Sequence, residues 1–597
     1  MFSLCPSHSA TAALSRVPLA SRDDMQDPCG EAHAWFRRLG LLAACAALVA
    51  GACCSKSEVK ATGTPAAGDP VPARPTFTIF AVAEMRGQIG PCGCTTDPLG
   101  DISRTAQLIA QARAAGPVVF VDAGSLLYSK VPIPPRLAPQ EELKADLLAE
   151  TYRTALKVDA LGLGPSDLPG VPDHLRLPRL VSNASEVASQ PPKVIEVGGA
   201  KAGVFGVIAE GAVARIKLED PVAAGKQAVA QLRGQGAQVV IGLVQAETKK
   251  DAAKLVRDIG GIDFAIVGLG LAAPEPDRIE IEPQRIGDGW LIVPANRGQI
   301  VARLDVTLRG PGPLADAVGP GAAATKIALY DKQLAALDAD LKAFANDKSA
   351  DPAFVARKQQ EHTQLAALRD RLKTHPLAVP PHGSYFTLDQ VRINKTLACN
   401  TAVQDAVSAF YRATGEANVK AAADITVTPP PKGQASYTGG EACADCHADA
   451  VTFWQKTVHA TAWKTLEDRG QQFDLDCIGC HVTGWDKPGG SNLGHNDKLR
   501  DVQCETCHGP GSIHVAKGGL EKPFAIKRGP AEDLCASQCH TKEHSDTFQF
   551  EPYLRDVVGP GHGESRRKQL GDGPTGAQLR KAALDKAGTT LGAGCTR

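Results

Sequence analysis

Residues 501–514 read DVQCETCHGPGSIH: two cysteines three apart, a histidine directly after them, and a second histidine six residues further on. The arrangement recurs as EACADCHADA at 441–450 and DCIGCHVTGW at 476–485, and in a stretched form, LCASQCHTK, at 534–542. C-x-x-C-H is the attachment pattern of c-type haem. Each thiol adds across a vinyl group, and the following histidine offers a ring nitrogen to the iron. Three regular copies, Cys443/Cys446/His447, Cys477/Cys480/His481 and Cys504/Cys507/His508, fall within 66 residues. Paired C-x-x-C knuckles also hold zinc, but zinc gives no task to a histidine after every pair.

The fourth copy, Cys535-Ala-Ser-Gln-Cys539-His540, has one residue too many between its cysteines. It is open between haem held by both sulfurs, haem held by Cys539 alone with His540 on the iron, and a 535–539 disulfide beside three haems. We expect four haems. Each iron needs a second axial ligand, and methionine, a common one, is confined to Met1, Met25 and Met85. The candidates are therefore His459, His495, His514, His544 and His562. His459, His514 and His562 are preferred. His544 follows His540 too closely to serve the same iron, and His495 reads as a surface residue. Three candidates for four irons predict one five-coordinate haem.

The stretches YTGGEACADCHADAVTFWQKTVHATAW, CIGCHVTGW, VQCETCHGPGSIHV and FEPYLRDVVGPGHG together resemble the tetrahaem cytochrome c554 family over 436–565. That resemblance implies closely stacked haems, mostly ligated by histidine on both sides, serving electron transfer. It also implies one haem without a distal protein ligand. The extra residue at 535–539 departs from the pattern and bears on the fourth attachment.

The 17 cysteines are clustered rather than spread: eight lie between 443 and 539, five in the first 54 residues, and Cys92, Cys94, Cys399 and Cys595 stand apart. In FRRLGLLAACAALVAGACCSK (36–56), Arg37 and Arg38 precede a 14-residue apolar run, Leu39–Ala52. That run is shorter than the roughly 20 residues needed to span a bilayer, and it has the anatomy of a secretory signal. Its end, Ala50-Gly51-Ala52-Cys53, resembles the lipobox of bacterial lipoproteins, which predicts lipidation at Cys53; a plain cleavage site before Cys53 is the alternative. Residues 1–24 read as an extension upstream of Met25. The 65 basic and 65 acidic residues cancel, which gives no argument for nucleic acid as a partner.

A Pro/Ala/Gly linker fills 54–75. From residue 76, apolar runs alternate with helical patterns, predicting an α/β domain over 76–310. Ile327, Tyr330, Leu334, Leu337, Leu341 and Phe344 repeat every seven residues, and Leu365, Leu368 and Leu372 share one side of a second helix. These predict a helical hairpin over 322–375, turning at 346–351. Residues 384–424 read as a small helical segment, with 386–415 helical. The multihaem domain follows over 436–565, and the basic stretch 566–597 reads as a mobile tail. The expected whole is multidomain: an α/β sandwich, a helical hairpin, then a mostly helical and irregular multihaem cytochrome c domain.

The segments FTIFAVAEMRGQIGP, GPVVFVDAGSLL, VDALGLGPSDLPG, AQVVIGLVQ and IDFAIVGLGL resemble, in order, the 5′-nucleotidase branch of metallophosphoesterases. The resemblance implies a two-metal site held by aspartate, histidine and asparagine. This sequence departs from it throughout. Glu84-Met85-Arg86 stands for Asp-x-His, Ser125 for an aspartate, Pro165-Ser166-Asp167 for Asn-His-Glu, Gln245 for a histidine, and Leu269 and Leu271 for two more. So many changes predict a scaffold without the metals and without phosphatase activity. In its first loop, GPCGCTTDPLGDISR (90–104), Cys92 and Cys94 are open between a redox pair, a metal or haem contact, and a disulfide with Cys399.

The expected function is an exported, lipid-anchored electron-transfer protein that passes electrons between periplasmic or cell-surface redox proteins. The alternatives are a haem enzyme acting on a small nitrogen or sulfur compound and, more weakly, a nucleotide hydrolase.

Overall fold

The strand Phe77–Val82 is apolar at nearly every position, and both its faces are buried. Ile79 and Ala81 face one core, Phe80 and Val82 another, as the two-residue period of a strand requires when both sides are covered. In this computed structural model the strand pairs parallel with Val118–Asp122 and antiparallel with Ile300–Thr307. It belongs to a six-stranded sheet ordered Ala315–Asp316, Tyr385–Arg392, Ile300–Thr307, Phe77–Val82, Val118–Asp122, Ala160–Leu161. A second six-stranded sheet runs Gln284–Ile286, Gly289–Ile292, Phe264–Gly268, Val239–Gln245, Ala200–Ile208, Lys193–Val197. The structure describes residues 76–595, apart from 92–93, 169–175, 188, 215, 319, 347–350, 375–379, 521–528 and 530. The expected signal segment, Cys53, the linker, Cys92 and most of the hairpin turn lie outside the described residues.

The inner faces of the two sheets meet through Ile79, Val121, Val204, Ile241, Phe264 and Phe386. Helices Ile102–Ala115, Ala138–Thr154 and Thr401–Ala422 cover the outer face of the first sheet. Pro221–Gly234 and Lys249–Ile259 cover that of the second. The result is an α–β–β–α sandwich. Helix starts follow local chemistry: the Asp101 carboxylate accepts from the N–H groups of Ser103 and Arg104, and the Thr248 hydroxyl from that of Asp251.

Three expectations are corrected. The sandwich does not end near 310: after the hairpin, Tyr385–Arg392 returns as a strand paired along its whole length with Ile300–Thr307. That segment was expected to be helical. Its Phe386 and Leu388 alternate onto the inter-sheet core, a period of two that a reading for helix overlooks. The helix begins only at Thr401, behind the Asn400 cap. The basic C-terminal stretch is also folded. Helix Gly576–Ala587 starts in a Thr575/Gln578 capping box, the Ala577 N–H donates to Asp556, and Cys595 is disulfide-bonded to Cys399. The hairpin, Pro320–Asn346 and Pro352–Thr374, matches expectation and packs Tyr330 and Leu372 on Ile281.

The described residues fall within one compact unit. The haem-motif region is joined to the sandwich by buried polar contacts just ahead of its second motif. Gln140 donates to Asp474 (2.7 Å) and accepts from the Leu475 N–H and from Asn418 (both 3.0 Å). Lys144 bridges Glu141 (2.6 Å) and Asp476 (3.0 Å). Among the described residues, no helix is long and apolar enough to cross a membrane.

Candidate haem site

Each regular motif closes a tight turn on itself. The His447 N–H donates to the Cys443 carbonyl at 2.9 Å, Cys504–His508 is a short helix, and the Cys480 N–H reaches the Cys477 carbonyl at 3.3 Å. In the fourth copy the His540 N–H donates to the Cys535 carbonyl at 2.9 Å, five residues back instead of four. One wider turn thus absorbs the extra residue and leaves the histidine in an equivalent place.

The first and third motifs are tied to each other by polar side chains within and beside the third. The buried Glu505 carboxylate accepts from the N–H groups of Thr438, Gly439 and Gly511 at 2.7–3.0 Å, clamping the approach to the first motif onto the third. Gly511 is packed so closely that a Cβ there would lie 3.2 Å from Glu505. Gln503 accepts from the Gly440 N–H at 2.6 Å. The Cys443 and Cys504 side chains lie close together, as do those of Cys480 and Cys539, so attachment points of different motifs are neighbours.

Histidine rings come together in three pairs. Ring centres are 6.2 Å apart for His447 and His514, 6.2 Å for His459 and His540, and 6.0 Å for His508 and His562. With about 2 Å for each iron–nitrogen bond and about 1 Å from nitrogen to ring centre, two imidazoles on one iron sit roughly 6 Å apart. The residues therefore fit haem ligated from both sides. Ring nitrogens on the far side are engaged: Nδ1 of His562 with the Val557 carbonyl (2.7 Å), of His481 with the Ala462 carbonyl (2.5 Å), and of His540 with the Ser545 hydroxyl (3.1 Å). A hydrogen bond at Nδ1 holds the tautomer that leaves Nε2 free for a metal.

The preferred distal candidates His459, His514 and His562 are thus each brought to a motif histidine. His495 is exposed, and His544 lies in the turn after His540. Among the described residues, no histidine ring faces that of His481. The Cys94 side chain lies close to the His481 ring. Cys399 is in a disulfide, but its partner is Cys595, which removes it as a partner for Cys92 or Cys94. Sequence reasoning left Cys595 unassigned, because 196 residues separate the two cysteines.

The residues expected to stand in place of metal ligands form a buried polar cluster. Asp167 accepts from the N–H groups of Ser125, Leu126, Leu127 and Gly164 (2.8–3.1 Å) and pairs with Arg179 at 3.1 Å, both side chains fully buried. A guanidinium supplies positive charge beside the carboxylates. Arg179, an arginine inside the apolar stretch LPRLV, was missed by sequence reasoning, although a lone cation there is itself a signal. Gln245 donates to Glu84 and to the Ala123 carbonyl (both 3.1 Å), and Tyr152 to Asp122 (2.7 Å). A Cβ at Gly268 would fall 2.1 Å from the Gln245 amide nitrogen. Glu84, Arg86 and Ser125 keep left-handed backbone (φ 55°, 48° and 61°), strain that clusters at ligand-binding loops.

Burial lifts the Glu84 and Asp122 carboxyls to about 7. Between the ordinary value of 4.5 and about 7, folded Glu84 holds a proton that the unfolded chain has released, so stability falls as pH rises. The contribution is complete below that window and lost above it. Glu84→Gln should flatten the decline by up to about 3 kcal/mol. Urea unfolding between pH 4.5 and 8 measures this, and a wild-type slope unchanged in the variant would contradict it.

Residues 442–509 match the family model for cytochrome c554 and c-prime. Cytochrome c-554 of Nitrosomonas europaea is 33% identical over 119 residues, covering 17% of this chain and 51% of the relative. The chain thus spans about half the length of the curated relative it matches. A 5′-nucleotidase precursor from Thermus thermophilus aligns with 59% of this chain and 61% of its own (15% identity, TM-score 0.38). A sulfate thiohydrolase from the same organism aligns with 58% of this chain and 62% of its own (13% identity, TM-score 0.38). Residues 442–509, which follow the α/β sandwich in the chain, are thus similar to the cytochrome c554 family.

Proposed function

We propose that this chain is an exported, lipid-anchored multihaem c-type cytochrome that carries four covalent haems and relays electrons between redox proteins outside the cytoplasm. The observation that carries this reading is the meeting of three motif histidines with three others at a spacing that suits one iron between each pair. Haem supplies reversible one-electron chemistry, and neighbouring haems permit its passage along the chain.

The protein's own part is positional. Eight cysteines, Cys443, Cys446, Cys477, Cys480, Cys504, Cys507, Cys535 and Cys539, hold the haems. His447, His481, His508 and His540 bind from one side, and His514, His459 and His562 from the other. Ligation from both sides keeps the surroundings alike in both oxidation states, so little rearrangement opposes transfer. The sandwich serves as a scaffold: its former metal positions are occupied by the Arg179–Asp167 pair and the Gln245–Glu84 hydrogen bond. Export and anchoring rest on the Arg37/Arg38 signal and on Cys53 in the sequence.

The test is spectroscopic. His514→Ala, His459→Ala and His562→Ala should each convert one low-spin ferric haem to high-spin while haem content per chain stays constant. Electron paramagnetic resonance with a pyridine haemochrome assay reads both, and three variants with wild-type spectra would refute the pairing. A second reading, redox chemistry on a small nitrogen or sulfur compound, is favoured by the His481 ring, which among the described residues is not paired with another histidine ring as the other motif histidines are. Ready binding of nitric oxide or cyanide by the native protein would support it.

A further inference from the structure

The second motif is bracketed by charges that the sandwich supplies. Ahead of it, Asp476 directly precedes Cys477 and pairs with Lys144 at 3.0 Å and Lys130 at 3.5 Å. Behind it, Asp486 pairs with Arg136. Gln140 and Lys144 stand one turn apart on helix Ala138–Thr154, so both reach the segment 474–476 from the same helix face. Gln140 donates to Asp474 and accepts from the Leu475 N–H, which fixes the backbone leading into the motif. The Asp474 carbonyl in turn accepts from the N–H groups of Cys477 and Ile478, both at 3.0 Å.

Lys144 is the buried cation of this set. Its side chain is only 7% exposed, and it also meets the fully buried Glu141 at 2.6 Å. Glu141 is itself held by the Ser129 N–H (2.8 Å) and hydroxyl (2.9 Å). Burial works against an ammonium charge, but Asp476 and Glu141 outweigh it and raise the Lys144 pKa. A cation is thus fixed, through Asp476, beside the residue that begins a haem attachment. Away from solvent, such a charge is screened less than one at the surface.

Resting on the reading of four covalent haems, we propose that Lys144 is a positioning residue of the electron relay: acting through Asp476, it holds up the reduction potential of the haem attached at Cys477 and Cys480. Ferric haem carries one positive charge more than ferrous haem. A fixed cation therefore favours the reduced form, and an uncompensated carboxylate favours the oxidised form. Removing the ammonium leaves Asp476 and Glu141 without it and makes this haem harder to reduce. The sandwich thereby takes part in setting which haem holds an electron.

The test uses the full chain with its haems. Spectroelectrochemical titration at about pH 8, where carboxylates are charged, reads the potentials of wild type, Lys144→Met, Lys144→Arg and Asp476→Asn. The haem in question is the one whose wave is missing from the double variant Cys477→Ala/Cys480→Ala. In Lys144→Met its equilibrium should move about tenfold towards the ferric form, about 59 mV for one electron, with haem content unchanged. Lys144→Arg should stay within about twofold of wild type, and Asp476→Asn should move the same haem about tenfold the other way. Where Lys144→Met fails to fold, Asp476→Asn decides alone. Four haems whose potentials stay within about twofold of wild type in Lys144→Met and Asp476→Asn overturn the proposal and leave the haem reading standing, as does an equal shift of all four. Haem content that stays the same in Cys477→Ala/Cys480→Ala overturns both.

Discussion

Replacing Asp167 by Ala should destabilise the sandwich by about 4 kcal/mol or more, on the order of a 10 °C fall in Tm. The size follows from what one carboxylate holds. It accepts from the N–H groups of Ser125, Leu126, Leu127 and Gly164, and it is the counter-ion of Arg179 in a site without exposure. Losing one partner of a buried ion pair costs about 3–5 kcal/mol, and each orphaned donor adds its own desolvation. The double change Asp167→Leu/Arg179→Met should recover part of the loss, since the uncompensated guanidinium is gone. Thermal melting by circular dichroism checks both, and an Asp167→Ala protein melting within 2 °C of wild type would contradict this account of the centre.

What the sequence discloses divides along physical lines. Chemistry with a fixed covalent spacing is legible: the C-x-x-C-H copies and, from the scarcity of methionine, the preference for His459, His514 and His562. The continuous apolar strands of the sandwich are legible too, because both their faces are buried. Pairings that depend on distance in space are not. Which histidine meets which motif, the Cys399–Cys595 disulfide and the approach of Cys94 to His481 follow from contacts between residues far apart in the chain. Tyr385–Arg392 was misread because a strand supplied from beyond an inserted hairpin looks, locally, like the start of the helix that follows it. The C-terminal stretch was misread because its Lys and Arg residues describe only a solvated helix face. The capping box at Thr575 was present in the sequence and contradicted a mobile tail.

The largest effect expected anywhere in the molecule is the collapse of the C-terminal region when haem is withheld. The sandwich has three extensive apolar cores. Among the described residues, the motif region has one small cluster, Trp463, Ile478 and Val482, with Leu475, Trp485 and Leu493 against it. So few buried side chains cannot offset the ordering of more than a hundred residues at about 1–2 kcal/mol each. On the proposed reading, covalent porphyrin rings would supply the missing apolar surface. Changing all eight motif cysteines to Ala should leave residues 436–565 open to protease, with at least a tenfold faster cleavage, while the sandwich stays protected. The most direct test of the whole account is the intact mass of the exported wild-type protein. Four added haem masses are predicted; a mass equal to the bare polypeptide, in colourless material without a pyridine haemochrome, would contradict it.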